Sequence, residues 1–91
     1  RRAAVLDPDD LEAATGMAQM LLVLADARPA VQWARRAVEL SPGAAAQHAV
    51  LGKALAAAGD HAGAEAAWRR TLELNPGHPA ALRGLRELEN Q

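Results

Sequence analysis

An eight-residue stretch occurs three times in this chain at a spacing of 34 residues. It reads RRAAVLDP at positions 1–8, RRAVELSP at 35–42 and RRTLELNP at 69–76. A fixed period of this length is typical of solenoid proteins, in which each repeat is one supersecondary unit that buries its apolar face against the next unit. The spacing therefore predicts a stack of similar helical hairpins and not a single globular core.

Hydrophobic periodicity and turn signals predict about five helices in this stack. Apolar residues between positions 10 and 25 recur at i, i+3, i+4 and i+7, which is the buried stripe of a helix. Pro29 suits the first turn of a second helix ending near Leu40, and Gly59 suits the left-handed residue that follows a helix. The expected helices cover positions 10–25, 29–40, 44–58, 61–74 and 79–90.

The period divides residues 1–91 into parts of one domain. Residues 1–8 match the tail of a preceding repeat, 9–42 and 43–76 are complete repeats, and 77–91 form a polar C-terminal capping helix. Because the chain has no initiator Met and opens on the end of a repeat, we expect it to be part of a longer protein. We also expect residues 1–8 to fray or to mediate end-to-end self-association, since their apolar side chains lack a partner helix.

Composition excludes several classes of function. Alanine supplies about a quarter of the residues and there is no Phe or Tyr, so helices must approach closely over small side chains. The formal charge of -1, without a basic block, argues against a nucleic-acid surface. No apolar run is long enough to cross a membrane, and without cysteine the compartment stays open between cytoplasm and periplasm. The high Ala, Arg, Leu and Gly content fits a GC-rich bacterial genome.

Candidate catalytic and metal-binding residues do not form a site in the sequence. His48, His61 and His78 lack the i, i+3 or i, i+4 spacing of a helical metal pair. The glutamates lie on helix faces without the long loops that would form a pocket around an acid and a base. We therefore expect no metal, no cofactor and no enzymatic activity from this segment.

The second complete repeat carries Leu51-Gly52, Leu55, Gly59-Asp60, Ala64, Trp68 and the LELNP sequence at 72–76. With these residues it resembles the tetratricopeptide repeat, and the resemblance extends over essentially the whole chain. The first repeat departs more from the family pattern, with Met17-Ala18 in place of Leu-Gly and Ala25-Asp26 in place of Gly-Asp. The resemblance implies an all-α fold, a right-handed α-solenoid of antiparallel helix hairpins.

The resemblance also implies that the first helix of each hairpin lines a concave face. The rung formed by Gln19, Lys53 and Glu87 alternates in charge, which suits a peptide of mixed charge better than a phosphate backbone. Lys53 and Arg83 alone could serve an anionic group, so the family's dicarboxylate clamp does not transfer. The candidate peptide-binding residues are Glu12, Thr15, Gln19, Leu22, Val23, Ala49, Lys53, Arg83 and Glu87.

These observations favour a non-catalytic protein-protein interaction module that holds a partner peptide or helix in its concave groove. Two alternatives stay open: a regulatory or positioning appendage of an enzyme whose catalytic domain lies outside this segment, and an architectural scaffold that binds only neighbouring repeats. The repeated arginine pairs are expected on the convex side, with their stems covering apolar surface and their heads in water. An acidic partner on that side is the alternative for them.

Overall fold

The computed structural model describes residues 10–90, and five helices joined by short turns make up most of this range. They are α1 (Leu11–Val23), α2 (Ala27–Leu40), α3 (Ala45–Ala57), α4 (His61–Leu74) and α5 (Pro79–Glu89). No strand occurs within these residues, so the all-α prediction is confirmed. The expectations for residues 1–8, a repeat tail and a self-association segment, fall outside the described range.

Side-chain caps fix the starts of two helices. The Asp10 carboxylate accepts hydrogen bonds from the backbone N–H groups of Glu12 and Ala13, at 3.0 and 3.3 Å. Asp60 does the same for α4, accepting from the N–H of Gly63 at 2.9 Å. Such caps satisfy N–H groups that have no partner inside the helix, and each is worth about 1 kcal/mol.

The two hairpin turns share one backbone motif. Gly59 has a φ of 89°, which confirms the predicted left-handed residue, and the Asp60 N–H donates to the Leu55 carbonyl at 2.9 Å. Ala25 has a φ of 62°, and the Asp26 N–H donates to the Leu21 carbonyl at 2.8 Å. Both turns are Schellman motifs, which end a helix by turning the chain through one left-handed residue.

This motif explains two small errors in the predicted boundaries. α1 ends at Val23, two residues earlier than expected, because the turn already begins before the left-handed Ala25. α2 begins at Ala27, so Pro29 is its third residue. Proline is tolerated there because N–H groups of the first turn have no partner within the helix.

Each helix packs on the next one in the chain, and α3 also contacts α1 and α5. Turns of three or four residues make neighbouring helices antiparallel, so α1–α2 is the first hairpin and α3–α4 the second hairpin. The overall extents are 46 × 26 × 17 Å. Within residues 10–90, no helix has the length and apolar character needed to span a membrane.

Two apolar clusters hold the helices together. The first cluster surrounds the fully buried Ala18, Ala30, Ala34 and Ala54, and Trp33 packs against it in a half-buried position. The second cluster surrounds Leu55, Ala64, Ala67, Trp68 and Ala81. Since most of these core side chains are methyl groups, the helix backbones lie close together, as the alanine content predicts.

Trp68 is the largest buried side chain of the second cluster, with 5% of its surface exposed. Its indole Nε1 donates a hydrogen bond to the Ala49 carbonyl at 3.3 Å. A Cβ atom added at Gly52 would lie 2.5 Å from Trp68 Cδ1, and one added at Gly84 would lie 2.5 Å from Cε2. The ring is therefore held between α3 and α5, where only glycine leaves enough room.

The repeated arginines lie on the outer helices, as expected. Arg36 pairs with Glu39 at 3.1 Å, Arg70 pairs with Glu73 at 2.8 Å, and Arg69 pairs with Glu65. Two of these pairs stand at the same positions of successive repeats, because 36 and 70 differ by the period. Ion pairs this exposed contribute about 0–1 kcal/mol each, so they are features of the solvated surface.

Candidate functional site

An open groove of about 530 Å³ runs across the first helices of the successive units, α1, α3 and α5. α3 supplies the centre of the groove, α5 supplies one side and α1 contributes a single residue. The lining residues are Gln19, Ala46, Ala49, Val50, Lys53, Trp68, His78, Ala80, Arg83, Gly84 and Glu87.

Small residues form much of the groove floor. Ala46 and Ala80 are exposed, whereas Ala49 and Gly84 are buried beneath them. The edge of the Trp68 indole reaches the floor between the α3 and α5 backbones. Because methyl groups and glycine project little, a guest segment could lie close to the helix backbones and cover apolar surface there.

The sides of the groove are polar and mixed in charge. Gln19, Lys53 and Glu87 are all exposed and line the groove at positions exactly one period apart in the sequence, as neutral, positive and negative groups. Arg83 adds a second positive charge one turn before Glu87 on α5. The groove thus offers hydrogen-bond donors and acceptors along its length without a strong field of one sign.

Five of the nine predicted site residues line this groove. They come from all three inner helices and include both residues singled out as able to meet an anionic group. They are Gln19, Ala49, Lys53, Arg83 and Glu87.

The other four predicted residues are not part of the groove lining. Leu22 is half-buried and packs against the first cluster, and the Thr15 hydroxyl accepts a hydrogen bond from Gln47 Nε2 at 3.2 Å. Glu12 and Val23 are exposed near the two ends of α1, and neither contributes to the groove surface. The structure therefore brings less of α1 into the site than the repeat pattern predicts.

Six further residues line the groove outside the nine predicted site residues: Ala46, Val50, Trp68, His78, Ala80 and Gly84. His78 lies in the turn before α5 as its N-cap residue, where it is half-buried, and its Nδ1 is buried without a hydrogen-bond partner. Gly84 and Trp68 belong together, because the small residue opens the floor to the ring edge. A glycine placed inside an expected helix was the available signal for this close approach.

The remaining histidines do not assemble a metal site. His48 Nε2 lies 2.7 Å from the Pro42 carbonyl oxygen and can donate to it, which ties α3 to the turn before it. In the part of the chain that the structure describes, no three His, Cys, Asp or Glu side chains are grouped so as to hold a metal ion.

No model of a protein family matches this chain, and no curated protein matches it. The resemblance to the tetratricopeptide repeat therefore rests on the residues of the sequence alone.

Proposed function

We propose that this chain is a non-catalytic protein-interaction module that holds a peptide or helix of a partner protein in the groove across α1, α3 and α5. One observation carries the proposal: the groove combines a floor of small residues with exposed side chains of mixed charge. Small residues admit a polypeptide backbone, and the mixed charges supply partners for its polar groups.

The proposal includes a tetratricopeptide-like superhelix. The alternation of inner and outer helices, the contacts from α3 to both α1 and α5, and the elongated shape support it. In such a stack the inner helices of successive units lie side by side, which accounts for a groove shared by three helices.

The charge pattern favours a peptide of mixed sequence over a polyanion. Lys53 and Arg83 supply two positive charges, but Glu87 lies beside them in the same groove. A nucleic-acid backbone would require a continuous run of cations, because its affinity comes from neutralised phosphates. A peptide that carries positive and negative residues around a small apolar side chain complements the groove better.

Filling the groove tests the proposal directly. Ala46 is exposed in the floor, so Ala46→Trp should block the groove and abolish binding of peptides selected from a random displayed library. Ala66 is exposed on α4 and does not line the groove, so Ala66→Trp is the matched control and should bind as the parent does. Isothermal titration with each selected peptide provides the measurement. Equal affinities for the two variants would reject the groove as the binding site.

Removing the polar groups provides a second test. The variant Gln19→Ala, Lys53→Ala and Arg83→Ala keeps the floor but removes three polar side chains from the groove. We expect about tenfold weaker peptide binding for each charged hydrogen bond lost. The control variant Gln32→Ala and Arg35→Ala changes exposed residues of α2 instead. Unchanged affinity in the groove variant would contradict the assignment of these side chains to the site.

A further inference from the structure

His78 carries a buried ring nitrogen that has no hydrogen-bond partner. Its Nδ1 is enclosed by the protein, whereas the ring as a whole is half-buried and lines the groove. Among residues 10–90, no other buried side-chain nitrogen or oxygen lacks a partner. Buried polar groups are nearly always paired in folded proteins, so this exception indicates a role for the ring beyond packing.

The enclosed Nδ1 determines which ring nitrogen can meet a ligand. In the neutral ring, a hydrogen on Nδ1 would be a buried donor without an acceptor, and such donors are rarer in proteins than buried acceptors without a donor. We therefore assign the hydrogen to Nε2. Nε2 is accessible and makes no hydrogen bond to residues 10–90. It is the ring nitrogen from which a bound segment could accept a hydrogen bond.

The groove carries side-chain donors where α5 begins. Arg83 lies about one turn into α5, is exposed in the groove and forms no ion pair with residues 10–90. A guanidinium has donors only, and the assigned tautomer of His78 also presents a donor. Glu87, which can accept, lies one turn after Arg83, and Lys53 and Gln19 occupy the equivalent positions of α3 and α1. The groove therefore has a donor end, formed by His78 and Arg83, and an end that holds both donors and acceptors.

We propose that the donor end binds one acidic side chain of the partner segment, with the His78 Nε2–H and the Arg83 guanidinium donating to its carboxylate. This inference rests on the proposed function, since it requires a segment lying in the groove. A carboxylate fits better than a backbone carbonyl because it offers more lone pairs and a charge opposite to that of Arg83. The groove is open, so a segment can pass through it, and the carboxylate belongs to a side chain and not to a chain end. A basic residue further along the same segment then meets Glu87.

A double-mutant cycle followed by isothermal titration tests this contact. The probes are peptides selected on the parent chain from a random displayed library and synthesised with acetylated and amidated ends. His78→Asn removes the Nε2–H and should weaken binding by about tenfold. Replacing the peptide's acidic residue with its amide counterpart should weaken binding at least as much. The combined loss should be smaller than the product of the two single losses, because both changes remove the same hydrogen bond.

The stability of the variant separates binding from folding. Asparagine is a preferred residue immediately before a helix, whereas His78 makes no side-chain cap, so His78→Asn should not lower the thermal midpoint. His61→Asn changes an exposed histidine at the start of α4, outside the groove, and is the matched control that should bind each peptide as the parent does. Nitrogen NMR of isotope-labelled histidine reads the tautomer and should show the His78 hydrogen on Nε2.

The possible failures of this contact differ from a failure of the groove. Selected peptides without an acidic residue, binding that needs a free C-terminal carboxylate, a His78 ring with its hydrogen on Nδ1, or a His78→Asn chain that binds like the parent would each overturn the proposal. If Ala46→Trp still abolishes binding in those cases, the groove itself stands. Peptides that bind Ala46→Trp and the parent equally would instead reject the groove, and this inference with it.

Discussion

The first and second hairpins carry side chains of different size at equivalent core positions of the repeat. Positions 52, 68 and 84 carry Gly, Trp and Gly, whereas the equivalent positions 18, 34 and 50 carry Ala, Ala and Val. In the second hairpin one aromatic ring fills the space between helices, and in the first hairpin several small side chains do so. The same 34-residue repeat thus accommodates two different cores, provided that large and small residues compensate each other across the helix contact.

The two hairpins also differ in the residue type at the left-handed position of their turns. Both need a left-handed residue after the inner helix, and the second hairpin has Gly59 there. The first hairpin has Ala25, whose Cβ makes this conformation less favourable by about 1 kcal/mol. The second hairpin therefore agrees more closely with the local preferences of its sequence, and the first relies more on packing.

Removing the aromatic rings should produce the largest difference between the hairpins. We expect Trp68→Ala to lower the free energy of unfolding by about 3–5 kcal/mol, because the ring is almost fully buried between two helices. Trp33→Ala should cost about 1–2 kcal/mol, because Trp33 is half-buried beside the first cluster. Urea unfolding followed by circular dichroism measures both. Equal losses would show that the cores are not organised differently.

Adding a methyl group to equivalent glycines should produce effects of opposite sign. Gly84→Ala should destabilise the protein by about 1–3 kcal/mol, because its Cβ would overlap the Trp68 ring. Gly16 is the equivalent residue of α1. Gly16→Ala should stabilise the protein by about 0.5–1 kcal/mol through helix propensity alone. Thermal unfolding compares the two variants. A destabilising Gly16→Ala would mean that this position of α1 is already covered.

Exchanging the turn residues should produce the smallest effects. Gly59→Ala should lose about 1 kcal/mol, because alanine adopts the left-handed conformation poorly. Ala25→Gly should gain about 0.5 kcal/mol, since the relief of that steric cost is partly offset by the greater freedom of glycine in the unfolded chain. Denaturant midpoints measure both changes. Loss of stability in the Ala25→Gly variant would contradict the steric explanation.

The helices and the turns between them were largely predictable from sequence because their signals are local. The period set the register, proline and glycine marked the turns, and the left-handed Gly59 followed from its position after an apolar helix. The left-handed Ala25 was less visible, since only its equivalence to Gly59 pointed to it. The enclosure of Trp68 by Gly52 and Gly84 could not be derived, because it depends on how closely α3 and α5 approach.

The groove was predictable only in part, for a geometric reason. Periodicity assigns a residue to a helix face, but a neighbouring helix decides whether that residue is covered. Leu22 lies one turn beyond Gln19 on α1, yet it packs into the first cluster while Gln19 reaches the groove. His78 joined the groove from a turn, where helical periodicity gives no prediction.

Val31 and Leu51 pack against both apolar clusters, and this sharing has a consequence for how the molecule unfolds. In a linear array of repeats, the units behave independently when the contacts between them are weak and as one cooperative body when those contacts are strong. Side chains that belong to both cores at once make the loss of either hairpin weaken the other. Val31 and Leu51 thus favour a single transition in which α1 to α5 unfold together.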